Sequence, residues 1–86
     1  MSENEIEATV LEILSGVAPE ARDLRIDPEV NFREQFDFDS LDFLNFVLAL
    51  DQRFGIEIPE SDYPKLSSLA GCVGYLSGRL GAKANA

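Results

Sequence analysis

Few residue types in this chain can do chemistry, and the best placed of them is a serine. Ser40 belongs to the tetrapeptide Asp39-Ser40-Leu41-Asp42, which opens the longest apolar-periodic segment, running from Leu41 to Phe54. Asp and Ser are favoured at helix starts because their side-chain oxygens accept hydrogen bonds from backbone N–H groups that have no intrahelical partner. Capping alone therefore accounts for the residue types. A serine at a helix start also stands where a reaction partner can reach its hydroxyl.

The rest of the composition removes many reactions. The chain has no histidine and one cysteine, Cys72. No histidine-based triad, no Cys/His zinc site and no intramolecular disulfide can be assembled from it. A hydrolase built on Ser40 would lack a histidine base, and Lys65 is placed by no recognisable motif. No calcium-loop series of Asp and Asn with its glycine is present, so no metal site is expected.

Size and charge narrow the partners. Eighty-six residues make one domain with one modest core. Sixteen acidic and seven basic residues give a formal charge of −9, and the first 20 residues carry five Glu and no Lys or Arg. Nucleic acid or an anionic membrane would need neutralising cations, so neither is expected as a partner, and a basic protein surface is. A charge this high in so short a chain also brings self-repulsion that salt or divalent cations relieve. The acidic start has no basic n-region, and no apolar run is long enough to span a bilayer. The expectation is a cytoplasmic protein without stable membrane insertion.

The elements that must position the serine are helices. Ile6, Val10, Ile13, Leu14 and Val17 follow one helix face, with Gly16 and Pro19 near its end. Residues 18–39 form a long connection that Leu24, Ile26, Val30, Phe32 and Phe36 are expected to pin down. The second helix is predicted from Ser40 to Phe54, ending at Gly55. A short third helix is expected near Ser61 to Leu66, where Pro64 fits only near its start. A fourth begins around Ser67 or Ser68 and presents Leu69, Cys72, Val73, Leu76 and Leu80 on one face. Its glycines Gly71, Gly74 and Gly78 fall on the outward side and weaken it. The expected organisation is all-α: a four-helix domain over residues 1–80 and a flexible tail over 81–86.

The second helix carries two apolar stripes. Phe43, Phe46, Val47, Leu50 and Phe54 form one, wide enough to face the core. Leu41, Leu44 and Leu48 form another, flanked by Asp51 on one edge and by Asn45 and Gln52 on the other. The long connection could cover this second stripe. It could equally be a docking surface beside Ser40, with apolar contacts for affinity and carboxylates for steering.

From Phe32 to Leu76 the chain resembles acyl carrier proteins. The resemblance rests on Asp39-Ser40-Leu41, the Ala49-Leu50 pair and the run from Phe54 to Ile58-Pro59, in register with the helix layout. It implies a four-helix acyl-carrier-like bundle and a carrier rather than an enzyme. A phosphopantetheinyl transferase would join 4′-phosphopantetheine, taken from coenzyme A, to the Ser40 hydroxyl. A helix N-terminus suits the product because its N–H groups favour negative charge. Asp39 resembles the family aspartate that meets a basic residue of the transferase, and its role as a cap is equally compatible. Leu41, Leu44 and Leu48 match positions that partner enzymes contact, and Asp42 and Asp51 match acidic contact positions. Phe32, Phe36, Phe46, Leu50, Ile58, Leu66, Cys72 and Leu76 match interior positions, for which core packing is the simpler role.

The chain also departs from the family. Asp37 stands where the family usually has glycine before the modified serine, Phe38 is bulky beside it, and Asn45, Gln52 and Arg53 replace positions commonly acidic in carriers of fatty acid biosynthesis. The expectation is therefore a monomeric carrier of thioester-bound acyl groups in a specialised lipid or secondary-metabolite pathway. Its partners would be acyl-loading and acyl-accepting enzymes with basic docking patches. A peptidyl or aminoacyl carrier, and an unmodified acidic interaction module, are the alternatives.

Overall fold

A computed structural model describes residues 2–84, with side chains through Gly81. Helix α1 spans Glu3–Val17 and starts with a reciprocal cap: Glu5 N donates to Ser2 Oγ, and Ser2 N donates to the Glu5 carboxylate. That second bond, with the hydroxyl contact, holds the Glu5 carboxyl below its usual range. Ile6, Val10 and Leu14, one turn apart, are fully buried.

The connection after α1 is ordered. It contains a 3₁₀ turn over Pro19–Asp23 and a single-turn helix α2 over Phe32–Gln35. Polar bonds hold it alongside its buried residues Ala18, Ala21, Phe32 and Phe38. Gln35 closes a loop on itself by accepting from Asp27 N and donating to the carbonyls of Asp27 and Val30. Asp37 N donates to Glu20 Oε1 at 2.9 Å, Phe32 N to Ser67 O at 2.9 Å, and Ala70 N to Pro28 O at 2.9 Å. Leu24, expected as an anchor, is 44% exposed, because the chain leaves the Pro19–Asp23 turn pointing that side chain outward. Ile26 and Phe36 are half-buried against the core, and Phe32 is fully buried.

Helix α3 spans Ser40–Phe54 and has the predicted ends. Asp39 caps its start, and Gly55 ends it in the left-handed region at φ 64°, where a side chain would be strained. Phe46, Val47, Leu50 and Phe54 are its buried face. The expected third helix is a 3₁₀ segment, Glu60–Leu66. Pro64 lies inside it rather than at its start. The short 3₁₀ geometry tolerates it there, since no long i to i−4 ladder is broken.

Helix α4 spans Leu69–Ala84, buries Leu69, Cys72 and Leu76, and packs against α1. It continues past Leu80, where the notionally free tail was expected to begin, and Asn85 and Ala86 lie outside the described residues. Gly71 is not on an open surface. A Cβ there would run into the Lys65 carbonyl and meet Ser68 Oγ at 3.1 Å, whereas Gly74 and Gly78 face open space. The glycine lets the head of α4 approach the 3₁₀ segment.

The architecture is an all-α bundle with no strand among the described residues. Its core is one cluster drawn from α1, α3, α4 and both connections. A side network adds to it: Tyr75 donates to Asp62 Oδ2 at 2.7 Å, and Arg79 donates to Tyr75 Oη and, at 2.9 Å, to Glu57 O. Lys65 pairs with Asp62 at 3.3 Å. These bonds tie the 3₁₀ segment to α4.

Candidate functional site

Ser40 is placed by what precedes it. Phe36, Asp37, Phe38 and Asp39 run extended into α3, so successive side chains alternate sides. Phe38 goes inward and is only 5% exposed, while Asp37, Asp39 and Ser40 face solvent. The Phe38 ring meets Phe32, Phe43 and Phe46 edge-on at centroid distances of 5.8, 6.2 and 6.0 Å. Edge-to-face geometry suits the ring quadrupoles, and burying such a ring contributes about 1.5–3 kcal/mol. The bulky residue that looked out of place before Ser40 is thus the plug that fixes it. Its signal was present in the Phe-Asp-Phe-Asp alternation.

At the head of α3, Asp42 N donates to Asp39 Oδ1 at 2.9 Å and Asp39 N donates to Asp42 Oδ2 at 3.2 Å. Ser40 is the first helical residue and is exposed. Arg33 Nη2 donates to Ser40 Oγ at 3.2 Å. An open cleft of about 330 Å³ lies in front, lined by Arg33, Phe36, Asp37, Phe38, Asp39 and Ser40. A second, more apolar cleft of about 330 Å³ adjoins it, sharing Arg33 and Phe38 and walled by Phe32, Phe43 and Tyr63.

The structure brings most of the predicted site residues together. Asp39, Ser40, Leu41 and Asp42 form the first turn of α3, and Leu44 and Leu48 continue from it up one face. Leu41, Leu44 and Leu48 are 65, 40 and 47% exposed, so the long connection does not cover this stripe. Asp51, one turn beyond Leu48, is half-buried toward the far end of the helix. Its Oδ1 accepts from Ile58 N at 3.2 Å and pins the chain after Gly55. Arg53, also on α3, pairs with Glu12 of α1 at 3.4 Å. Cys72 is buried and its Sγ donates to Leu66 O, and burial pushes its thiol pKa up to about 12. Arg33 was not foreseen, because its approach to Ser40 depends on the path of the connection.

The sequence profile described as "Phosphopantetheine attachment site" matches residues 8–76. This chain belongs to the acyl carrier protein family. The acyl carrier protein of Campylobacter hominis is 43% identical over 72 residues, covering 84% of this chain and 85% of that one. That of Lactobacillus johnsonii is 36% identical over 76 residues, covering 88% and 94%. The solved acyl carrier protein of Enterococcus faecalis superposes with a TM-score of 0.69 at 28% identity, covering 88% of this chain and 95% of that one.

As an acyl carrier protein the chain bears covalently attached 4′-phosphopantetheine and is a carrier, not an enzyme. Its partners include a phosphopantetheinyl transferase and acyl-handling enzymes. The head of α3 fits the group: it offers an exposed hydroxyl, an open cleft, and a guanidinium to balance one negative charge. Among the described residues, no helix is long and apolar enough to cross a membrane.

Proposed function

We propose that Ser40 is the attachment residue and that the chain shuttles thioester-bound acyl groups between the enzymes of a specialised lipid or secondary-metabolite pathway. One observation carries the assignment. The Ser40 hydroxyl is exposed at the first position of α3, beside an open cleft and at the foot of an uncovered apolar stripe. The chain's own part is to present that hydroxyl as a nucleophile toward the pyrophosphate phosphorus of coenzyme A that bears the pantetheine, whose P–O–P bond breaks to release adenosine 3′,5′-bisphosphate as the hydroxyl proton passes to a base. The base and the magnesium belong to the transferase. When bound, 4′-phosphopantetheine supplies the thiol that holds an acyl group as a thioester.

Leu41, Leu44 and Leu48 form the docking surface for the transferase and for acyl-loading and acyl-accepting enzymes, whose basic patches meet Asp39 and Asp42. Asp51 contributes charge to the edge of that surface while its hydrogen bond to Ile58 keeps it in place. The specialised pathway is supported by the charge pattern of α3. Asn45 and Gln52 are neutral, and Arg53 is turned to Glu12, so the negative face weakens along the helix. The carrier works as a cytoplasmic monomer.

The test uses an acyl-coenzyme A as donor with magnesium and a broad-specificity transferase. The intact mass should rise by one acyl-phosphopantetheine, and neutral hydroxylamine should remove the acyl part and leave the arm. A folded chain that gains no mass with any transferase tried would sink the proposal and favour an acidic docking module.

A further inference from the structure

We infer that Arg33 is a phosphate-binding residue, whose guanidinium holds the phosphodiester at Ser40 and fixes the base of the prosthetic arm against the cleft beside α3. This rests on Ser40 as the attachment residue. The contact is already half made, since Arg33 Nη2 donates to Ser40 Oγ at 3.2 Å. Esterification puts phosphorus on that oxygen, and the non-bridging oxygens lie one bond further out. A guanidinium touching the ester oxygen reaches them by a rotamer adjustment alone.

The choice of partner is informative. This chain has 16 carboxylate side chains, yet Arg33 forms no ion pair among the described residues and points at a neutral hydroxyl. Asp37 and Asp39 line the same cleft. The Asp39 carboxylate is engaged by Asp42 N, and Asp42 accepts from Asp39 N. Arg33 is thus held ready for an anion at Ser40 and is not spent on a neighbouring carboxylate.

Charge balance points the same way. Asp37, Asp39 and Asp42 lie within three residues of Ser40, so a phosphodiester there adds a fourth negative charge to the group. Arg33 is the cation among the six residues lining the cleft. Its planar fork of donors matches two phosphate oxygens at once, which an ammonium cannot reproduce. The backbone beneath it is fixed by buried Phe32, by Phe32 N to Ser67 O at 2.9 Å and by the Gln35 bonds. Because Arg33 also borders the apolar cleft of Phe43 and Tyr63, anchoring the phosphate sets the direction in which the arm leaves Ser40.

The experiment compares apo and holo forms of the parent, Arg33→Lys and Arg33→Gln, with loading established by intact mass. Loading the parent should move the Arg33 Nε–Hε signal downfield and slow its exchange with solvent. The ³¹P signal of the phosphodiester should differ between parent and Arg33→Gln, with Arg33→Lys in between. Loading should also lower the melting temperature of Arg33→Gln by about 2–5 °C more than that of the parent. A parent that takes the arm while its Arg33 signal stays put, with the same ³¹P signal as Arg33→Gln, overturns the role of Arg33 and leaves Ser40 as the carrier residue. A parent that takes no arm overturns both.

Discussion

Asp39 and Asp42 cap each other across the first turn of α3, at 2.9 and 3.2 Å, with Ser40 held between them. The pair fixes the backbone that presents the hydroxyl, so a change at Asp39 has two separable consequences. Asp39→Ala removes the cap and should destabilise the fold by about 1 kcal/mol, whereas Asn caps nearly as well as Asp. Asp39→Asn should therefore melt like the parent. It should be loaded roughly tenfold more slowly, because a basic residue of the transferase loses its charged partner. Equal loading rates for the two would leave capping as the whole role of Asp39.

The glycines of α4 should respond in opposite directions. A Cβ at Gly71 meets the Lys65 carbonyl, and backbone cannot give way cheaply, so Gly71→Ala should cost about 1–3 kcal/mol in urea unfolding. Gly74 and Gly78 have nothing within 4 Å of an added Cβ. Gly74→Ala and Gly78→Ala should each stabilise by up to about 1 kcal/mol. A loss at either would mean that α4 needs flexibility there.

The Tyr75 network gives a pH signature. The hydrogen bond from Tyr75 holds the Asp62 carboxyl below its ordinary value of 3.8, and burial followed by Asp62 raises the Tyr75 phenol above 10.0. A depressed carboxylate stabilises the fold above its ordinary value and loses that contribution as the pH falls through the folded one. A raised phenol stabilises below its ordinary value and loses that contribution as the pH rises through the folded one. Tyr75→Phe should therefore lower the melting temperature by roughly 3–5 °C near neutral pH. The gap between parent and variant should narrow as the pH falls below 3.8 and as it rises above 10.0. A gap independent of pH would assign the loss to packing.

Thiol chemistry separates Cys72 from the arm. Cys72 is buried with its thiol pushed up to about 12, so almost no thiolate is present at neutral pH. Under native conditions the apo chain should show no fast-reacting thiol at about pH 8, and the holo chain should show one. Cys72→Ala should keep that fast thiol. Rapid labelling of the folded apo chain would mean that the core opens around α4.

The sequence and the structure agree where signals are local. Both ends of α3 were legible, because Asp39 and Gly55 act on the turn they occupy. The buried faces of α1 and α4 followed from period alone. What was hidden depends on how distant segments meet. Residues 18–39 are held by the bonds of Gln35, Glu20 and Ser67 as well as by buried Ala21, Phe32 and Phe38, so neither the exposure of Leu24 nor the approach of Arg33 to Ser40 could be seen. Gly71 looked like its neighbours until the Lys65 carbonyl was placed beside it. The acceptor role of Asp51 toward Ile58 N was hidden as well, because it needs the turn after Gly55. Phe38 was the exception, since its alternation with Asp37 and Asp39 carried the answer locally.

The central claim is that the arm is carried on Ser40. Its most direct test is to incubate the parent and Ser40→Ala with coenzyme A, magnesium and a broad-specificity phosphopantetheinyl transferase, then to record intact and fragment masses. One phosphopantetheinyl adduct on the parent, mapped to the fragment holding Ser40 and missing from a folded Ser40→Ala, is the predicted result. An adduct that persists in Ser40→Ala, or that maps to another residue, would contradict the account.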